Sequence, residues 1–131
     1  MKRLFILFVL YASFVTAQEN NEAAIIVQKQ VEAYNARDIQ AFSALFSDDV
    51  KMYDFPKTLR ASGKVELKKR FGQMFQNTPD LFSYIEDRIA SENKVIDHEK
   101  VTFKKGEPAK EFIVMYIVEN KKITEVYYIK R

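Results

Sequence analysis

The stretch "YNARDIQAFSALFSDDVKMYDFP", Tyr34 to Pro56, decides how the chain reads. Asn35-Ala36-Arg37 breaks one helical pattern. Asp38 then has the place and chemistry of an N-cap, its side-chain oxygen free to accept an orphan backbone N–H of a second helix. That helix is expected over Ile39 to Phe46, with Ala41, Phe42, Leu45 and Phe46 on its inner face. Ser47-Asp48-Asp49 ends it. From Val50 the period changes to two: Val50 and Met52 point one way, Lys51 and Tyr53 the other. Asp54 therefore falls on the apolar side of a strand, just before a Phe-Pro that stops it. Two readings of Asp54 stand. It caps the turn by accepting backbone N–H bonds, or it is a carboxylate at the mouth of an apolar pocket, where it can act as a base.

Upstream, Ala23 to Tyr34 reads as a helix. At about 100° per residue, Ala23, Ile26, Val27, Val31 and Tyr34 share one stripe, with Gln30 lying near its middle. Gln30 is either a buried amide satisfied by backbone or a donor to a ligand carbonyl. Downstream, Pro56 to Ser62 is expected to be a loop. Gly63 opens a third helix with Glu66 in its acidic first turn and Leu67, Phe71, Met74 and Phe75 on its apolar stripe. Four β-rich stretches follow: Leu81 to Ala90, Lys94 to Phe103, Glu111 to Val118 and Lys122 to Lys130. Short polar turns separate them, which predicts an antiparallel meander.

The layout is helix, helix, strand, helix, then four strands. It predicts an α+β fold, a cone-shaped curved antiparallel sheet of five strands packed on three N-terminal helices. A curled sheet over helices leaves a hollow at one end. Of eleven Phe and seven Tyr, eight Phe and six Tyr lie beyond residue 17, an ample supply to line it.

The first residues stand apart. "MKRLFILFVLYASFVTAQ" has a basic start at Lys2 and Arg3, an apolar run from Leu4 to Val15, and small residues up to Ala17. It reads as a signal peptide over residues 1–17, since the run is shorter than the roughly 20 residues that span a bilayer. Residues 18–131 then form one domain, exported to the periplasm or secreted, with no membrane contact after cleavage. The chain has no Cys, which excludes disulfides, thiol catalysis and Cys-held metals. Loss of Lys2 and Arg3 lowers the formal net charge from +3 to +1. The remaining basic pairs are dispersed among acids, so no nucleic-acid partner is expected. Three scattered glycines build no phosphate loop, and no Gly-x-Ser-x-Gly elbow occurs.

His98, the one histidine, lies in "IDHEK". Ile96 and His98 share one face of their strand, Asp97 and Glu99 the other. If Ile96 faces the pocket, so does His98, and an Asp54–His98 couple could activate water or shuttle a proton. Otherwise His98 is an exposed residue on a charged strand. One His without Cys argues against a metal site. Arg88 either reaches an anionic ligand or pairs with acids such as Glu86 or Asp87. The facing of Tyr116 and Tyr128 is open.

Taken with the Gly63-led helix and "NKVIDHEKVTF", the 34–56 block resembles the SnoaL-like and ketosteroid-isomerase-like branch of the nuclear-transport-factor-2-like superfamily. The resemblance covers nearly all of Ala23 to Lys130. It implies a cone-shaped α+β barrel, a homodimer formed through the sheet, and a pocket between the sheet and the first and third helices. It implies no one activity, since members include isomerases, dehydratases, cyclases, epoxide hydrolases and binding-only domains. Asp54 matches the isomerase branch's general base at the end of the first strand. That branch's two oxyanion donors fall at or near Gln30 and near Phe112 or Ile113, so neither is kept. The expectation is a cofactor-free protein that binds a small hydrophobic molecule. Asp54 and His98 are its candidate catalytic pair, and Gln30, Tyr34, Phe55, Arg88, Tyr116 and Tyr128 its candidate binding residues. The alternative is a non-catalytic binding or dimerisation module.

Overall fold

The computed structural model describes residues 21–130, and the leader expected at 1–17 lies outside the described residues. In chain order the elements are α1 (Glu22–Asn35), α2 (Ile39–Ser43), β1 (Phe46–Asp54), β2 (Thr58–Ser62), α3 (Lys64–Asn77), β3 (Phe82–Ser91), β4 (Lys94–Thr102), β5 (Lys110–Glu119) and β6 (Lys122–Ile129). Six strands form one curved sheet in the order β2-β1-β6-β5-β4-β3. The meander β3 to β6 is antiparallel, as its turn spacing predicts. Strands β1 and β6 pair in parallel.

Capping chemistry sets the helix starts. Asn21 accepts the Ala24 N–H at 2.9 Å, and Asp38 accepts the Ala41 N–H at 3.0 Å. Gly63 takes φ +88° before α3, in the left-handed region where a Cβ is strained. Two boundaries depart from expectation. Helix α2 stops at Ser43, because the Leu45 carbonyl accepts the Ile123 N–H at 2.8 Å and Phe46 already pairs with Ile123. The segment expected as a loop after Pro56 contains β2, a strand that pairs back onto β1.

The core lies between the helices and the inner face of the sheet. Val27, Phe42, Phe46, Val50, Leu67, Leu81, Val95, Val114, Ile123 and Val126 are almost wholly buried there. Burial of each such side chain stabilises by about 1.5–3 kcal/mol. Phe42 is the hub, with ring centroids 4.8 to 6.2 Å from Phe71, Phe46, Phe75 and Tyr34. Its edge-to-face and tilted packing joins α1, α2, α3 and β1. Among the described residues, no helix is long and apolar enough to cross a membrane.

Two β-bulges determine which side chains face inward. On β3, Ile85 pairs with Glu99 but Asp87 pairs with His98, so Glu86 is an extra residue. The alternation of β3 therefore inverts there: Ser83 and Ile85 face in, and beyond the bulge so do Arg88 and Ala90. On β2, Ala61 pairs with Met52 and Leu59 with Tyr53, leaving Arg60 as the extra residue. That is why the neighbours Arg60 and Ala61 both line the same hollow.

Candidate functional site

A cavity of about 280 Å³ opens between the sheet and helices α1 and α3. Its walls are mostly apolar, with Phe71 and Met74 from α3 and Phe103 and Phe112 from the sheet. Set into them is one carboxyl group, Glu99.

Glu99 reaches the cavity because Val95, Asp97, Glu99 and Val101 share the inner face of β4. Val95 and Val101 are core residues, and they fix the parity of the acids between them. The Tyr116 hydroxyl, from β5, donates to Glu99 Oε1 at 2.7 Å. Burial and the nearby Asp97 charge push the Glu99 carboxyl up to about 7, against the opposing pull of the Tyr116 bond and Arg88. Three phenols feel the Glu99 charge. Tyr34, Tyr116 and Tyr128 are each raised above the ordinary tyrosine range, first by burial and then by Glu99. The hydroxyls of Tyr34 and Tyr128 have no hydrogen-bond partner among the described residues.

Behind Glu99 lies an ion pair. Arg88 donates to Asp97 through Nε at 2.6 Å and Nη2 at 2.9 Å, and through Nη1 to Gln28 at 2.9 Å. Asp97 is 0% exposed. The bulge at Glu86 places Arg88 opposite Asp97 in register. Arg88 thus takes a cross-strand partner rather than Glu86 or Asp87, and it does not line the cavity.

The remaining sequence candidates divide. Gln30, Tyr34, Tyr116 and Tyr128 line the cavity. Asp54 follows the parity of Val50 and Met52 but lies beyond the lining residues. Its carboxylate is 33% exposed, 3.6 Å from Arg60 Nε. Arg60 does line the cavity and lies over the Tyr128 ring, 4.6 Å from its centroid. Asp54 therefore touches the cavity only through Arg60, at the rim. Phe55 sits in the exposed turn after it, its N–H donating to the Tyr128 carbonyl at 2.8 Å.

His98 is a correction to the facing argument. The inner face of β4 is the one with Asp97 and Glu99, so Ile96 and His98 point outward. His98 Nε2 lies 3.2 Å from Glu111 Oε1, in a cluster with Glu86. The ammonium of Lys100, 2.6 Å from Glu86 and 4.0 Å from Glu111, already supplies positive charge to those carboxylates. Asp54 and His98 consequently do not meet across the cavity.

Sequence reasoning passed over Glu99, Arg60 and Ser83. A signal for Glu99 was present, since Val95 and Val101 flank Asp97 and Glu99 at a period of two. Arg60 and Ser83 carried none. Arg60 owes its direction to a bulge, and Ser83 lies between the exposed Phe82 and Tyr84.

A curved sheet with helices packed on one face places the chain in the cystatin-like α+β class. Within it, the SnoaL-like domain model matches residues 27–126, and the chain belongs to that family. Solved structures agree on the fold. A cystatin-fold protein of Novosphingobium aromaticivorans is similar at 21% identity and TM-score 0.75, covering 84% of this chain and 98% of that one. A putative ketosteroid isomerase of Kribbella flavida is similar at 17% identity and TM-score 0.70, over 82% and 76%. An LEH-like epoxide hydrolase of Mycobacterium tuberculosis is similar at 17% identity and TM-score 0.66, over 82% and 81%. No curated protein matches the chain. At such identities the likeness concerns the fold alone.

Proposed function

We propose that the cavity binds a small, largely apolar carbonyl compound and that Glu99 moves a proton on it without a cofactor. The observation that carries this reading is Glu99 itself, a carboxyl in an apolar cavity, held by Tyr116 at 2.7 Å and poised at about 7. A base titrating near the working pH is present in its ionised form without losing its driving force for proton abstraction. Glu99 takes a proton from a carbon next to the carbonyl and returns it elsewhere. The free hydroxyls of Tyr34 and Tyr128 donate to the oxygen on which negative charge develops. Asp54 and Arg60 shape the rim. The isomerase and epoxide-hydrolase names carried by structural neighbours are compatible with proton-transfer chemistry of this kind.

The test is exchange of the α-protons of 1-tetralone in D2O, followed by NMR. The wild type is expected to accelerate exchange above buffer, and Glu99→Gln to lose at least about 100-fold of that acceleration. No acceleration by the wild type would remove the catalytic reading and leave a non-catalytic binding module.

The start of the chain supports export with cleavage after Ala17, which the intact mass of the exported protein checks. The outer face of the sheet, which presents Tyr84 and Ile89 to solvent, supports a homodimer. A monomer by light scattering at micromolar concentration would refute it.

A further inference from the structure

Resting on that reading, the substrate class can be narrowed. Two side chains lining the cavity are nearly sealed from solvent, yet each leaves a polar atom without a partner among the described residues. Gln30 is 6% exposed and Ser83 is 5% exposed; the unpartnered atoms are Gln30 Oε1 and Ser83 Oγ. Buried polar atoms are almost always hydrogen-bonded, so such exceptions call for an explanation.

The two residues belong to one wall of the cavity. Gln30 lies on the inner stripe of α1, and Ser83 on the inner face of β3. Asn35, at the end of α1, clamps the Ser83 backbone at both ends: Nδ2 donates to the Ser83 carbonyl at 2.9 Å, and Oδ1 accepts the Ser83 N–H at 2.7 Å. The Ser83 backbone is fully occupied, and only its hydroxyl is left over. On the neighbouring strand, diagonal to Ser83 in the register, Glu99 has Tyr116, and at the rim Arg60 has Asp54 and the Tyr128 ring. Besides the phenols of Tyr34 and Tyr128, the unmet polar demand thus lies on α1 and β3, next to the strand that carries the acid.

The chemistry of that demand is specific. A carboxamide oxygen is an acceptor only, whereas a serine hydroxyl both donates and accepts. A ligand ketone, ether or hydrocarbon satisfies Ser83 at most and leaves Gln30 Oε1 bare. A ligand hydroxyl or N–H donates to Gln30 Oε1, and a hydroxyl also accepts from Ser83. We propose that the cavity selects a carbonyl compound bearing a second, protic group, a hydroxyl or N–H, docked against Gln30 and Ser83. The compound is small, because a volume of about 280 Å³ lies at the low end for ligand sites. Sites built to bond a hydroxyl discriminate strongly against analogues without one, since the buried partners are then left unpaired.

The probes are 5-, 6- and 7-hydroxy-1-tetralone, each against its methoxy counterpart, with dissociation constants from ligand-observed NMR. The methoxy group keeps the acceptor and removes the donor, and the methyl it adds is controlled by the variants, since a preference set by size alone survives Ser83→Ala. One hydroxy isomer is expected to bind the wild type at least about tenfold more tightly than its methoxy partner. Gln30→Met and Ser83→Ala should each shrink that preference while leaving methoxy-tetralone affinity within about threefold. Ser83→Ala keeps the Asn35 clamp, so it remains informative even if Gln30→Met does not fold. The proposal is overturned if no isomer shows the preference, or if the preference survives Ser83→Ala. Failure of every tetralone to bind would overturn the cavity reading beneath it as well. A hydroxyl preference without α-proton exchange would keep this subsite and remove catalysis alone.

Discussion

The two faces of β4 carry similar side chains in different surroundings. Inward stand Asp97 and Glu99; outward stand His98 and Lys100. On the inner face, Asp97 has no exposure and a two-bond arginine partner, and Glu99 is raised to about 7. On the outer face, His98 and Lys100 share Glu86 and Glu111 in contact with solvent. Residues one position apart differ in what their charges cost, because water screens one face and is largely excluded from the other. The chemistry a strand can host is thus set by which parity the core selects.

That contrast can be broken most severely at Arg88. Arg88→Ala strands a buried Asp97 charge, and removing one partner of a buried pair costs about 3–5 kcal/mol. Urea denaturation should show a loss of that order; a loss below about 1 kcal/mol would mean Asp97 is solvated and the inner face is not dry. The next effect has the opposite sign. The folded Glu99 carboxyl titrates at about 7 against 4.5 for an ordinary glutamate, so the folded state holds its proton more tightly than the unfolded chain. Stability is then unaffected by Glu99 below about pH 4, falls as pH rises from 4.5 to 7, and stays reduced above 7. Glu99→Gln, which keeps an acceptor for Tyr116 and removes the charge, should stabilise at pH 8 by on the order of 3 kcal/mol and do nothing at pH 4. Equal stability of the two proteins at both pH values would deny that Glu99 is desolvated. The smallest change is expected outside: His98→Gln should alter stability by less than about 1 kcal/mol and leave α-proton exchange unchanged. A large loss of exchange there would reinstate His98 as a participant.

The same contrast explains how much of the molecule could be read beforehand. The stripe of α1, the Asp38 cap, the Gly63 start of α3 and the strand meander are local patterns, and local chemistry was sufficient for them. The inward parity of Asp54 was legible too, but parity does not say how far a cavity extends along a strand. The faces of β4 were harder, because Ile96 and the valines compete as markers of the core. Two flanking valines outweigh one isoleucine only once the neighbouring strands are in place. Strand β2 was hidden because "TLRAS" has little apolar content and exists by pairing with β1. Arg60 and Arg88 depend on bulges, which belong to the register between strands and leave no trace in one strand's sequence.

The bulge at Glu86 has a consequence for how such chains diverge. A substitution at Glu86 alters a surface carboxylate, whereas loss of that single codon restores strict alternation and rotates one end of β3 against the other. Either Arg88 and Ala90 turn outward, or Ser83 and Ile85 do, so the ion pair beside Glu99 and the hydroxyl facing the cavity cannot both survive. The extra residue acts as a frame marker joining two half-strands of opposite phase. Its length, more than its chemistry, is what a lineage must keep to retain both the buried ion pair and the serine in the cavity wall.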